Sequence, residues 1–77
     1  MPPSKLVYMA NQIGKFFVSE DRATAAARIA DHLTKFWDPG MRAAIIAYEQ
    51  ADGAGLDEAV QAAIGLLRAA RPANKTA

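Results

Sequence analysis

Apolar side chains recur along this chain at steps of three and four residues, the period of one face of an α-helix. Leu6, Met9, Ala10, Ile13, Phe16 and Phe17 form the first such stripe. It predicts a helix over Lys5 to Val18, with Ser4 as its cap, because a hydroxyl at that position accepts an orphan backbone N–H. Gly14 lies inside the stripe, at a cost of about 1 kcal/mol relative to Ala. Ala26, Ile29, Ala30, Leu33, Phe36 and Trp37 make the second stripe. Ser19-Glu20-Asp21 precedes it, a capping hydroxyl and two carboxylates suited to the positive end of a helix dipole. The end of this second helix is set by Asp38-Pro39. The proline ring disfavours α conformation at Asp38, and the same pair restarts a helix with Asp38 as N-cap and Pro39 at the first helical position.

Met41, Ala44, Ile45 and Tyr48 repeat the pattern a third time, and Val60, Ala63, Ile64 and Leu67 a fourth. Between them, Asp52-Gly53-Ala54-Gly55 reads as a helix end, with Asp57 as the next cap. Arg68 and Arg71 sit at the negative end of the last helix, and Pro72 terminates it. No segment alternates with period two for long enough to make a strand. The expected fold is all-α, a small bundle of three to four short helices forming one domain over 4–71, with 1–3 and 72–77 as flexible termini.

Composition adds a question to this picture. Of 77 residues, 18 are alanine, and Leu, Ile, Val and Phe together number only 16. A chain of this length buries roughly 60% of its unfolded surface, so a core built from so few large side chains is thin. Small domains usually compensate with disulfides, a metal or a partner chain. Without cysteine, and with a single histidine, the first is impossible and a zinc site is disfavoured, which leaves a partner. Nine basic and eight acidic residues give a charge near +1, without the clustered basic footprint of nucleic-acid binding. No apolar run approaches the ~20 residues of a membrane span. The opening Met1-Pro2-Pro3-Ser4-Lys5 lacks the pattern of a signal peptide, so the expected location is cytoplasmic.

Catalytic chemistry finds little to work with. The hydroxyls are Ser4, Ser19, Thr24, Thr34 and Thr76, and the one imidazole is His32. A nucleophile, base and orienting carboxylate have no local arrangement here. Gly53-Ala54-Gly55-Leu56-Asp57 lacks the lysine and the preceding strand of a phosphate-binding loop, and Asp57 would repel an anion. No catalytic or metal residue is therefore assigned. Lys15, Lys35 and Arg42 are candidates for one basic edge that holds an anion or a nucleotide phosphate.

Adjacent bulky residues are more informative. Neighbours on a helix point ~100° apart, so Tyr8-Met9, Phe16-Phe17 and Phe36-Trp37 cannot each place both members in one core. One arrangement puts Phe36 in the core and packs Trp37 at the corner between helices. In the other, an aromatic projects with Met41 and Arg42 as an anchor for another protein, residue types enriched in interface cores.

Two blocks give the chain a recognisable cast. Leu6-Val7-Tyr8-Met9-Ala10-Asn11-Gln12-Ile13, followed by Phe16-Phe17 and Ala30-Asp31-His32-Leu33, leads to Phe36-Trp37-Asp38-Pro39 and Met41-Arg42. From about Lys5 to Ile46 the chain resembles the delta subunit of soluble, multi-subunit NAD-dependent formate dehydrogenases, enzymes with a molybdenum or tungsten pterin cofactor. It departs from that family at Gly40, where Arg is usual, which leaves Arg42 as the nearer basic candidate. The resemblance implies a non-catalytic small subunit that binds the catalytic alpha subunit and supports assembly, cofactor insertion or stability. The expected contact residues are Tyr8, Asn11, Gln12, Trp37, Asp38, Met41 and Arg42. An alternative is a maturation factor that itself holds a guanine nucleotide or molybdopterin guanine dinucleotide through Lys15, Lys35 or Arg42. A third is a small helix-turn-helix DNA binder, which the near-neutral charge opposes. Uncovered apolar faces also raise the prospect of a homodimer in isolation.

Overall fold

A computed structural model describes residues 2–70. Four helices follow one another, α1 (Pro3–Phe16), α2 (Arg22–Phe36), α3 (Pro39–Ala51) and α4 (Glu58–Ala70). The architecture is the expected small all-α bundle. Met1 and residues 71–77, including Arg71 and Pro72 at the expected end of α4, lie outside the described residues. None of the described helices is long and apolar enough to cross a membrane.

The starts of the helices differ from expectation in instructive ways. α1 begins at Pro3, so Ser4 lies within it and caps nothing, and the 3-position is helical rather than part of a flexible terminus. The cap position is taken by Pro2, whose carbonyl accepts from the N–H groups of Lys5 and Leu6 at 3.0 and 3.3 Å. Proline at the first helical position has φ preset for the helix and no N–H to satisfy, so a side-chain cap is dispensable. This helix ends at Phe16 rather than Val18, and the N–H of Phe17 bonds back to Gly14. α2 begins after Asp21, which occupies the cap position without a side-chain bond. Ser19 lies outside this helix, and Glu20 pairs instead with Arg28 at 3.1 Å. At α3 the expectation holds in detail, since Asp38 Oδ1 accepts from the N–H of Met41 at 2.8 Å with Pro39 as the first helical residue. Asp57 precedes α4, its carbonyl accepting from Gln61 at 2.8 Å.

α2 and α4 pack most extensively against each other, and α1 and α3 close over them. Leu6, Ile29, Leu33, Ile45, Val60 and Ile64 are the largest side chains in complete burial. Alanines complete the core, with Ala10, Ala25, Ala26 and Ala63 at 4% exposure or less. These positions explain how so few large residues suffice. Small side chains let helix axes approach, so the apolar volume needed between them falls. Gly14 takes this to its limit, because a Cβ there would stand 2.7 Å from Cγ2 of Val60 on α4.

The α3–α4 connection depends on glycine. Gly53 and Gly55 have φ of 72° and 86°, the left-handed region in which a Cβ is strained. The N–H groups of Asp52 and Gly53 both bond the carbonyl of Tyr48 at 3.0 Å, and Tyr48 Oη donates to Ala54 O at 2.7 Å. Gln61 Nε2 reaches back to the carbonyl of Leu56 at 3.3 Å. The loop is thereby tied at both ends to the helices it joins.

Candidate partner-binding surface

Trp37 packs at the corner between α2 and α3, as one of the two expected arrangements has it, but Phe36 is not in the core. Trp37 is 6% exposed and belongs to the core, whereas Phe36 is 71% exposed. The cause is the end of α2. Phe36 is its last helical residue, and Trp37 already has extended backbone, φ −94° and ψ 140°. Leaving the helix at that point turns the indole inward instead of ~100° around the helix surface. Phe36 then lies outward against the His32 ring, with centroids 4.6 Å apart. Trp37 is therefore a core residue and not a projecting anchor.

Other expected contact residues are engaged within the chain. Asn11 joins α1 to the α3–α4 loop, its Nδ2 donating to Gly55 O at 2.8 Å and its Oδ1 accepting from the N–H of Asp57 at 3.0 Å. It thus satisfies one of the backbone donors at the start of α4. Arg42 closes the C-terminal end of α2. Its Nη1 donates to the carbonyls of Thr34 at 3.1 Å, of Leu33 at 3.5 Å and of Trp37. A guanidinium on the last carbonyls of a helix also complements the negative end of the dipole. Asp38 is the α3 cap, and Met41 is half-buried against the core. The corner is consequently a self-contained structural unit, an acidic cap on one helix and a basic cap on the other.

Asn11 makes a measurable difference to stability. Asn11→Ala removes both long-range bonds and leaves the Asp57 N–H and the Gly55 carbonyl to water. A loss of about 1–3 kcal/mol is expected, read as a lowered denaturant midpoint with an unchanged m-value.

The basic candidates do not converge. Lys15 lies 3.7 Å from Asp57, and Lys35 pairs with Asp31 one turn away at 3.1 Å. They line different surface depressions, Lys15 between α1 and α4 and Lys35 on the outer side of α2. Arg42 lines neither of these, because its charge is turned onto α2. Among the described residues, no group of three His, Asp or Glu gathers as a metal site.

Among its charged groups the surface also exposes several large apolar and aromatic side chains. Tyr8 is 64% exposed and its Oη accepts from Gln12 Nε2 at 2.8 Å, so the two form one patch on α1. Phe16, at the end of the same helix, is 82% exposed and meets Phe17 edge to face with centroids 6.0 Å apart. Val18 is 78% exposed beside them. A shallow groove runs along the outer side of α2, lined by Phe17, Ala23, Ala27, His32 and Phe36 with charged groups between. Phe16 and Phe36 were absent from the expected contact set. The doublets Phe16-Phe17 and Phe36-Trp37 were the available signal, but which member faces out depends on where each helix stops.

The described residues thus form a small four-helix bundle that exposes Tyr8, Phe16 and Phe36 on its surface. The family follows from the sequence. The chain belongs to the NADH-dependent formate dehydrogenase delta subunit family, FdsD, whose sequence model matches residues 5–64. Members of this family are subunits of a formate dehydrogenase, working beside its other subunits. No curated protein and no solved structure matches the chain.

Proposed function

We propose that this chain is a non-catalytic delta subunit that binds the catalytic alpha subunit of the dehydrogenase and supports its assembly, cofactor insertion or stability. The outward face of α1 is the docking surface. Tyr8, Gln12 and Lys15 follow one another at helical spacing, and Phe16 extends the patch at the helix end. The observation that carries this reading is the exposure of Phe16 and Tyr8, at 82% and 64%, in a chain with three Phe and two Tyr in all. Burying one such ring against a partner contributes about 1.5–3 kcal/mol. Gln12 and Lys15 supply the polar rim that accompanies an apolar interface centre.

The double substitution Tyr8→Ala with Phe16→Ala tests the reading. Both rings lie largely in solvent, so the variant is expected to keep its helical circular dichroism spectrum and melting temperature. Its affinity for the alpha subunit in co-purification is expected to fall at least ~30-fold, as for the loss of a hot spot of 2 kcal/mol. Undiminished recovery of the alpha subunit with the folded double variant would refute docking through α1. The nucleotide-binding reading has less support, since Arg42 is turned onto backbone carbonyls and the two lysines stand at separate depressions.

A further inference from the structure

The groove along α2 lies on a different helix from the α1 patch, and its residue order has a property that the α1 patch lacks. Thr24, Arg28, Asp31 and Lys35 are spaced by four, three and four residues, the spacing of a seam between two packed helices. Two copies of α2 laid antiparallel along this seam bring Arg28 opposite the partner's Asp31, and Asp31 opposite the partner's Arg28. The same register sets Lys35 opposite the partner's Thr24 and His32 opposite the partner's Ala27. Phe36 then meets the partner's Ala23, where a methyl group leaves room for a ring. A parallel pairing instead sets Arg28 against Arg28 and Asp31 against Asp31, like charges that repel. The groove is thus self-complementary in one orientation only.

The charged groups are free to serve such a contact. The Arg28 and Asp31 side chains are 58% and 61% exposed, and their contacts within the chain are surface ion pairs with Glu20 and Lys35. Pairs of that kind contribute little, so a second carboxylate or guanidinium can share or replace them. Ala23 and Ala27 line the groove together with the aromatic rings of Phe17 and Phe36.

The geometry points to a second copy of this chain as the occupant of the α2 groove, in an isologous dimer with antiparallel α2 helices and reciprocal Arg28–Asp31 pairs. A two-fold axis passes between Ile29 and Ala30, midway along the seam. One 15-residue helix is only about 22 Å long, so it falls short of the ~800 Å² per partner of stable complexes. The dimer is accordingly weak, and it forms at the concentrations of the isolated subunit or when two copies are held close in an assembly.

Sedimentation equilibrium of the full chain from about 10 μM to about 1 mM, the range of weak complexes, tests this inference. A monomer–dimer equilibrium is expected for the unsubstituted chain. Arg28→Asp and Asp31→Arg, each of which faces like charges twice by symmetry, are expected to weaken it at least tenfold. The double exchange of Arg28→Asp with Asp31→Arg is expected to restore it, because each new aspartate again faces an arginine. Phe36→Ala is expected to weaken the dimer without changing the melting temperature. A chain that stays monomeric throughout the range overturns the inference, as does failure of the double exchange to restore association. Loss of alpha-subunit capture by Arg28→Asp in a chain that is itself monomeric also overturns it and assigns the groove to that partner. The Tyr8 and Phe16 double variant keeps the α2 dimer, so the two surfaces are tested separately.

Discussion

Trp37→Ala is expected to cost about 3–5 kcal/mol and to bring the domain close to unfolding. The indole is 6% exposed and fills the space where α2 turns into α3. Its removal leaves a cavity at a corner that cannot collapse, because Arg42 and Asp38 fix the backbone on either side. A chain of this size has a total stability of roughly 0.05–0.15 kcal/mol per residue, so the loss is a large fraction of the whole. In thermal circular dichroism the midpoint should fall by at least about 12 °C, given 4–8 °C per kcal/mol for domains of this length. Trp37→Phe, which keeps most of the volume, should lose less than half as much. A melting temperature unchanged by Trp37→Ala would mean that the indole is not a core group. Since the alanine substitution removes so much of the subunit's stability, its failure to co-purify with other subunits would carry no information about docking.

The second large effect is a reversal of sign between two helical glycines. Gly14→Ala adds a methyl 2.7 Å from the buried Cγ2 of Val60, with Ile29 Cδ1 3.8 Å away. Val60 is β-branched and fully buried, so it has no alternative rotamer into solvent. Overpacking costs typically 1–3 kcal/mol and exceeds the gain in helix propensity of about 1 kcal/mol. Gly65, in the middle of α4, has nothing within 4 Å of an added Cβ. Gly65→Ala should therefore realise the propensity gain and stabilise the chain by about 0.5–1 kcal/mol. Urea titrations of the two variants should move the midpoint in opposite directions. Equal stabilisation by both would show that α1 and α4 are not in close contact at Gly14.

Much of this fold was legible because its determinants are local. Asp38-Pro39 fixes one helix end and one helix start through sterics between neighbouring residues, and the structure follows it atom by atom. The four apolar stripes gave four helices because their period is a property of the backbone. The limits appear where a stripe is extended past a helix end. The helical period places Phe36 in the core with Ile29 and Leu33, yet the backbone departs from that period at Trp37, so the indole fills the corner and Phe36 lies in solvent. A hydroxyl at Ser4 is the expected cap because it can accept an orphan backbone N–H, but Pro3 at the first helical position makes a side-chain cap unnecessary. Asn11, beside the apolar stripe of α1, is expected from sequence at an interface rim, but it bonds within the chain instead. Its partners stand 44 and 46 residues away, beyond the reach of any local pattern. The two blocks that carry the family resemblance turn out to contain the two clamps of the fold, Asn11 in one and Asp38 with Arg42 in the other.

Those clamps also differ in how soon a folding chain can make them. The corner between α2 and α3 closes through bonds three to nine residues apart. Closing short loops is entropically inexpensive, and contacts of this kind form early. The Asn11 clamp waits until the loop before α4 exists. During synthesis α1, with its two exposed rings, therefore packs on α2 and α3 before the polar clamp that ties it to the start of α4 can close.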